Sequence, residues 1–306
     1  MNAPVGTDAG PSEGSDHESA AGRRRKRRWP WVLLAFAVVL GLVVGAVGLW
    51  LITPLPTEQS PLAEVRANAA VEVTETDTAI VMRPAGGDQG GDNQAGGNPA
   101  VDAQVGSDQA GGDQARPTAT PSRALLFFPG ARVEAEAYLW TLSPLVEQGV
   151  SVVVAKPRFG LALLDSRGLS TWTEAAPEVS EWVVGGHSMG GVKACAVAKD
   201  NPGRVTGLFL AGSYCAEDLS ARTDLAVLSV GGSRDGLSTP QKIADNAHLL
   251  PSDATFVEIE GMNHAQFGAY GEQSGDEAPQ ISDAEARAGL TAPWVPGDLG
   301  LTEPAQ

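Results

Sequence analysis

The sequence predicts an α/β fold, a doubly wound and mostly parallel sheet with flanking helices, preceded by one transmembrane helix. Three observations carry that expectation. After Arg123, short runs rich in Val, Leu, Ile and Phe recur at 124–128, 150–156, 181–186, 205–212, 225–232 and 254–260. Near-continuous apolar runs of that length suit strands covered on both faces. Helical patterns fall between several of them, at 133–149, 189–203 and 238–251, and strands alternating with helices imply a parallel sheet wound on both sides. Upstream, RRRKRR at 23–28 runs directly into a stretch without charge from Trp29 to Ile52.

Taken in order, residues 1–28 read as a disordered cytoplasmic tail ending in six basic residues. Residues 29–53 read as a membrane anchor, since about 20 apolar residues span a hydrocarbon core of ~30 Å. Trp29, Trp31 and Trp50 stand near its two ends, where indole rings favour the interface. The basic cluster places the N-terminus in the cytoplasm and everything after Thr53 outside the membrane. A cleaved signal peptide fits less well, because its apolar region is shorter and a small-residue cleavage site follows it closely. Residues 54–70 read as a stalk, and 71–84 as a small hairpin opening a domain that runs from 71 to 306.

Residues 85–118 repeat Gly, Asp, Gln and Asn with hardly any apolar content, as a flexible insertion would. Its aspartates follow no calcium-loop spacing. Beyond residue 53 the chain carries 15 of its 21 basic and 33 of its 37 acidic residues, a net of −18. That balance argues against nucleic-acid binding.

The chemistry is expected outside the carboxyl ends of the strands. Gly186-His187-Ser188-Met189-Gly190 fits G-x-S-x-G between a predicted strand and a predicted helix. Such a turn lifts a hydroxyl above the sheet, and small residues on each side let strand and helix approach. A serine is a poor nucleophile without a base. Of four histidines, His17 lies in the tail, His187 adjoins the serine on a diverging turn, and His248 ends a predicted helix. His264, past the last strand, is the candidate base. Asp235, after the preceding strand, is the candidate acceptor for its ring, with Asp218 as rival and Asp224 a poorer fit. The order Ser188, Asp235, His264 suits this architecture. The Met189 and Ala131 amides are the candidate oxyanion donors, with Arg132 as a candidate contact to an anionic substrate.

Residues 123–271 resemble the α/β-hydrolase superfamily, and most of all its dienelactone-hydrolase-like branch with a serine nucleophile. The matching pieces are FFPGARVEAEAY, VVGGHSMGG, FLAGSYCAEDLS, LSVGGSRDGLS and GMNHAQFGAYG. The resemblance implies the fold, a Ser-Asp-His triad and hydrolysis of carboxylic esters or related acyl bonds through an acyl-enzyme; it fixes no substrate. The anchor, the insertion and a thin connection at 157–179 depart from a compact member. That connection is expected to line the substrate cleft with Phe159, Leu161 and Leu163.

Cys195 and Cys215 would both lie outside the membrane, where a disulfide is permitted, and two buried thiols are the alternative. No ligand spacing suggests zinc and no glycine loop suggests a phosphate, so neither metal nor cofactor is expected. The expected partners are a small acyl ester and, through residues 29–53, the membrane. Two other readings share these residues: an acyltransferase using the same triad, and a catalytically silent domain that binds a ligand at the cell surface.

Overall fold

The computed structural model describes residues 29–86 and 123–294. The expected cytoplasmic tail and nearly all of the polar insertion lie outside the described residues.

Helix α1 (Trp29–Ile52) is 24 residues long with no charged side chain. Its described large apolar side chains are exposed. Among the described residues, no helix is long and apolar enough to cross a membrane. The described residues up to Gly48 form one unit and those from Leu49 onward another.

The second unit is built on one eight-stranded sheet. Its strands are β1 (Val71–Glu75), β2 (Ala79–Pro84), β3 (Arg123–Phe128), β4 (Ser151–Ala155), β5 (Glu181–His187), β6 (Val205–Ala211), β7 (Ala226–Gly232) and β8 (Thr255–Ile259). Their spatial order is β1-β2-β4-β3-β5-β6-β7-β8. The six strands from β4 to β8 are parallel, and β1 and β2 are antiparallel additions at one edge. The chain therefore leaves β3 towards one edge and returns to β5 on its other side. That reversal is a topological switch point, where crevices open above parallel sheets.

Alternation along each strand divides the core. In β3, Leu125 and Phe127 enter one apolar cluster, and Ala124, Leu126 and Phe128 enter the other. The first cluster is covered by α2 (Gln59–Ala67), α3 (Leu139–Glu147) and α7 (Asp283–Thr291). The second is covered by α4 (Ser170–Thr173) and α5 (Met189–Asp200), with Trp172 set edge-on against Phe128 at 5.0 Å. The remaining helix, α6 (Pro240–Asn246), carries no buried residue and follows β7.

One expectation needs correction. Residues 54–70 are not a stalk: α2 buries Leu62 and Val65, three positions apart on one face, in the first core cluster. The expected hairpin at 71–84 is the antiparallel pair β1–β2, and β2 joins it to the main sheet by pairing with β4. Cys195 on α5 and Cys215 after β6 are joined in a disulfide, with Cα atoms 5.6 Å apart.

Candidate active site

The G-x-S-x-G turn sits at the carboxyl end of β5, at the switch point. Ser188 holds φ 54° and ψ −124°, a backbone state that an L-residue rarely adopts. The turn is fixed from both sides, since the Ser188 amide donates to the Ala211 carbonyl at 3.1 Å and Ser213 Oγ donates to the Ser188 carbonyl at 2.7 Å. The flanking glycines are a steric requirement. A Cβ on Gly186 would lie 2.3 Å from the Gly190 carbonyl carbon, and one on Gly190 would lie 2.1 Å from the Phe128 oxygen. Strand β5, helix α5 and the end of β3 approach too closely there for any side chain.

Asp235 and His264 come from the loops after β7 and β8, 29 positions apart, and meet as a buried pair. His264 Nδ1 lies 2.8 Å from Asp235 Oδ2, and both side chains are wholly inaccessible to solvent. Asp235 Oδ1 accepts the amides of Leu237 and Ser238 at 2.9 and 2.6 Å, so the carboxylate is held by backbone donors as well. With Nδ1 donating to the carboxylate, Nε2 is left with its lone pair. Nε2 is buried and has no hydrogen-bond partner, so no bond joins it to Ser188 Oγ in this state. Such bonds are often formed only once a substrate is bound.

The His264 ring lies against that of His187, with centroids 4.3 Å apart. His187 is thereby part of the site floor. The Gly130 amide donates to Tyr138 Oη at 2.9 Å, which leaves the Tyr138 proton for His187 Nδ1, also at 2.9 Å. Burial, and then the neighbouring His264, push the His187 pKa well below its ordinary value, slightly opposed by the His264 backbone. Its Nε2 meets no hydrogen-bond geometry. His187 is therefore a neutral wall behind the His264 ring, completed by Phe267 stacked at 5.4 Å.

In the turn after β3 the amides are partitioned. Gly130 serves Tyr138, Arg132 donates to the Gly160 carbonyl at 2.7 Å, and Val133 donates to the Gly130 carbonyl at 3.2 Å. Among the described residues, the Ala131 amide has no partner, and neither does the Met189 amide at the start of α5. Among the described residues, no group of His, Cys, Asp and Glu is arranged to hold a metal ion.

The other sequence candidates fall away from this cluster. Asp218 is exposed and accepts from Ser220, and Asp224 pairs with Arg222. His248 is exposed, with Nδ1 2.9 Å from the Asp245 carbonyl of its own helix turn. Arg132 does not face a substrate: its guanidinium donates twice to the Thr53 carbonyl, at 2.9 and 2.6 Å. Phe159 is 79% exposed and Leu163 43%, whereas Leu161 is buried. A cavity of about 330 Å³ holds Phe159 with Pro54, Arg132 and Lys156, and includes none of Ser188, Asp235 and His264. Asp165 ties the 157–179 connection to α5, since the Lys193 ammonium donates to the Asp165 carbonyl at 2.8 Å.

One residue escaped the sequence altogether. Asp276 accepts the Gly236 amide at 3.0 Å and the Ala265 amide at 2.8 Å, tying the aspartate loop to the histidine loop. No pattern announces it, since its partners adjoin Asp235 and His264 only in three dimensions.

Residues 124–288, more than half of the chain, match the Alpha/beta hydrolase family. The chain belongs to that family. A comparison with curated proteins finds no match. Among solved structures, it is similar to a thermophilic esterase from Thermogutta terrifontis, at 15% identity over 48% of this chain and 84% of that one, TM-score 0.40. It is similar to a bacterial membrane phospholipase A at 16% identity over 78% and 93%, TM-score 0.41. A third likeness is to a lipase described for Acinetobacter baumannii, at 13% identity over 69% and 90%, TM-score 0.44. At these scores the three likenesses carry no argument about activity.

Proposed function

We propose that this α/β-hydrolase is a serine hydrolase of carboxylic esters, anchored by residues 29–53 with its catalytic domain outside the membrane. The observation that carries the reading is the buried Asp235–His264 pair, with its unpartnered Nε2, packed against His187, the residue before a serine on a strained turn. Ser188 Oγ bonds to the acyl carbon as its proton passes to His264 Nε2. Asp235 stabilises the imidazolium and holds its tautomer. The oxyanion lies between the Ala131 and Met189 amides, the second aided by the helix dipole. As the acyl–oxygen bond breaks, Nε2 returns the proton to the departing alkoxide. Water then repeats the sequence, giving its proton to Nε2 and releasing the acid and Ser188.

The anchor rests on the uncharged run 29–52 and the basic cluster before it.

The test is hydrolysis of short-chain chromogenic esters by the full-length chain. Replacing Ser188 by Ala, or His264 by Ala, is expected to lower kcat by about 10⁴–10⁶ with the fold intact, and Asp235→Asn by about 10⁴. A Ser188→Ala protein as active as the parent would remove the proposal.

A further inference from the structure

The first residues after α1 do not lead away from the catalytic domain. Thr53 is bound through its carbonyl by Arg132. The Glu134 amide donates to the Leu55 carbonyl at 3.2 Å, and the Thr57 amide donates to Glu134 Oε2 at 2.8 Å. Glu58 then donates its amide to the Ala269 carbonyl at 2.9 Å. Residues 53–58 thus form a strap from the turn that carries Ala131 to the loop that carries His264. Thr53 follows Ile52 directly in the sequence.

The same rim concentrates exposed apolar surface. Outside α1, the described residues include five exposed large hydrophobics, Phe159, Leu163, Leu164, Met189 and Phe256. Four of the five belong here. Phe159 shares a cavity wall with Pro54 and Arg132, and its loop is tied to the Arg132 amide through Gly160. Leu163 and Leu164 stand on the next turn, whose following residue Asp165 is clamped to α5, and Met189 opens α5 beside Ser188. Phe159 holds φ 58°, a conformation that a large residue seldom keeps without cause. Arg132 and Lys156 stand at this edge among Glu134 and Glu136, and Lys156 pairs with Glu75, so its charges are mixed and its exposed apolar side chains set its character. An exposed apolar patch rimmed by polar residues suits a lipid interface.

We propose that this rim rests on the outer leaflet of the membrane entered by residues 29–52, so that the esters reaching Ser188 are acyl lipids of that leaflet. The proposal rests on the anchored-hydrolase reading above. It assigns the strap the task of fixing the rim at the lipid surface, and Phe159, Leu163 and Leu164 that of entering it.

The test uses the full-length chain in vesicles of phosphatidylcholine with a minority of phosphatidylglycerol. Cys195 and Cys215 are paired, so a nitroxide can be placed selectively at Leu164→Cys or, as an aqueous control, at the exposed position Asp253→Cys. In protein that floats with the vesicles, the probe at 164 is expected to collide more with oxygen and less with a water-soluble nickel chelate than the probe at 253. Equal, aqueous values at both positions overturn the docking and leave the anchor standing. Failure to float overturns anchor and docking together. Independently, Leu164→Asp is expected to lower hydrolysis of a long-chain ester in the vesicles about tenfold while sparing a soluble short-chain ester. Unchanged rates on both overturn the proposal; loss of the soluble activity in the unsubstituted chain would instead count against Ser188 chemistry.

Discussion

His187 shows how a residue next to the proposed nucleophile serves without touching the reaction. It is buried, neutral, bonded by Tyr138 and packed behind His264. Its folded pKa lies below the unfolded value of about 6.5, so protonation favours the unfolded chain. Its contribution to stability is therefore complete above about pH 6.5 and declines as the pH falls from there towards the folded pKa. Urea midpoints measured between about pH 8 and pH 5 should fall with acidification, at most about 1.4 kcal/mol per pH unit for one proton. In His187→Gln that decline should be visibly shallower. The sequence marked this histidine as local packing, and the bond from Tyr138 fits that reading; its second task, as the wall behind His264, depends on a loop 77 positions away.

At the scale of elements, the 157–179 connection is held by one carboxylate. Asp165 is almost wholly buried and accepts from the Arg158 amide at 2.9 Å and from the amide and guanidinium of Arg167. Arg167 and Lys193 both lie over the Trp172 ring, at 5.5 and 5.8 Å. Burial raises the Asp165 pKa, but the Arg167 bonds and the two amides outweigh it, leaving the carboxyl well below the usual carboxylate range. The stabilisation is present above the unfolded value of about 4 and is lost as the pH falls below it. Asp165→Asn should cost about 2–3 kcal/mol in urea unfolding at neutral pH. The gap between variant and parent should narrow below about pH 4. A gap that persists unchanged in acid would mean that the charge of Asp165 is not the cause.

The six parallel strands were legible as short apolar runs; five of them are covered on both faces, while β8 is a largely exposed edge strand. Three short helices were not. Helix α2 offers only Leu62 and Val65 as buried positions in nine residues, too few for a periodic signal. Helix α4 is a single turn. Helix α7 did carry a readable start, the capping box of Ser282 and Glu285, which the sequence reading passed over. The candidates Ser188, Asp235 and His264 could be named from the sequence because each follows a strand at its carboxyl end. Arg132 and Phe159 were misread because nothing local reveals that residues 53–58 fold back over the turn after β3.

For the whole molecule, the proposed topology and the covalent structure are compatible: a domain held outside the membrane would meet an oxidising compartment, where a disulfide is stable. The Cys195–Cys215 bridge ties α5, which begins just after Ser188, to the loop after β6 across a sequence separation of 20. Closing a loop of that size contributes about 3 kcal/mol. Purified protein should resist alkylation until it is reduced, and reduction should lower its unfolding free energy by about that amount. The central claim, that Ser188 is a nucleophile activated by His264, is tested most directly by intact mass after exposure to a fluorophosphonate. The parent chain is expected to gain one phosphonyl adduct, with Ser188→Ala and His264→Ala gaining none. A parent that stays unmodified, or an adduct that persists in Ser188→Ala, would contradict it.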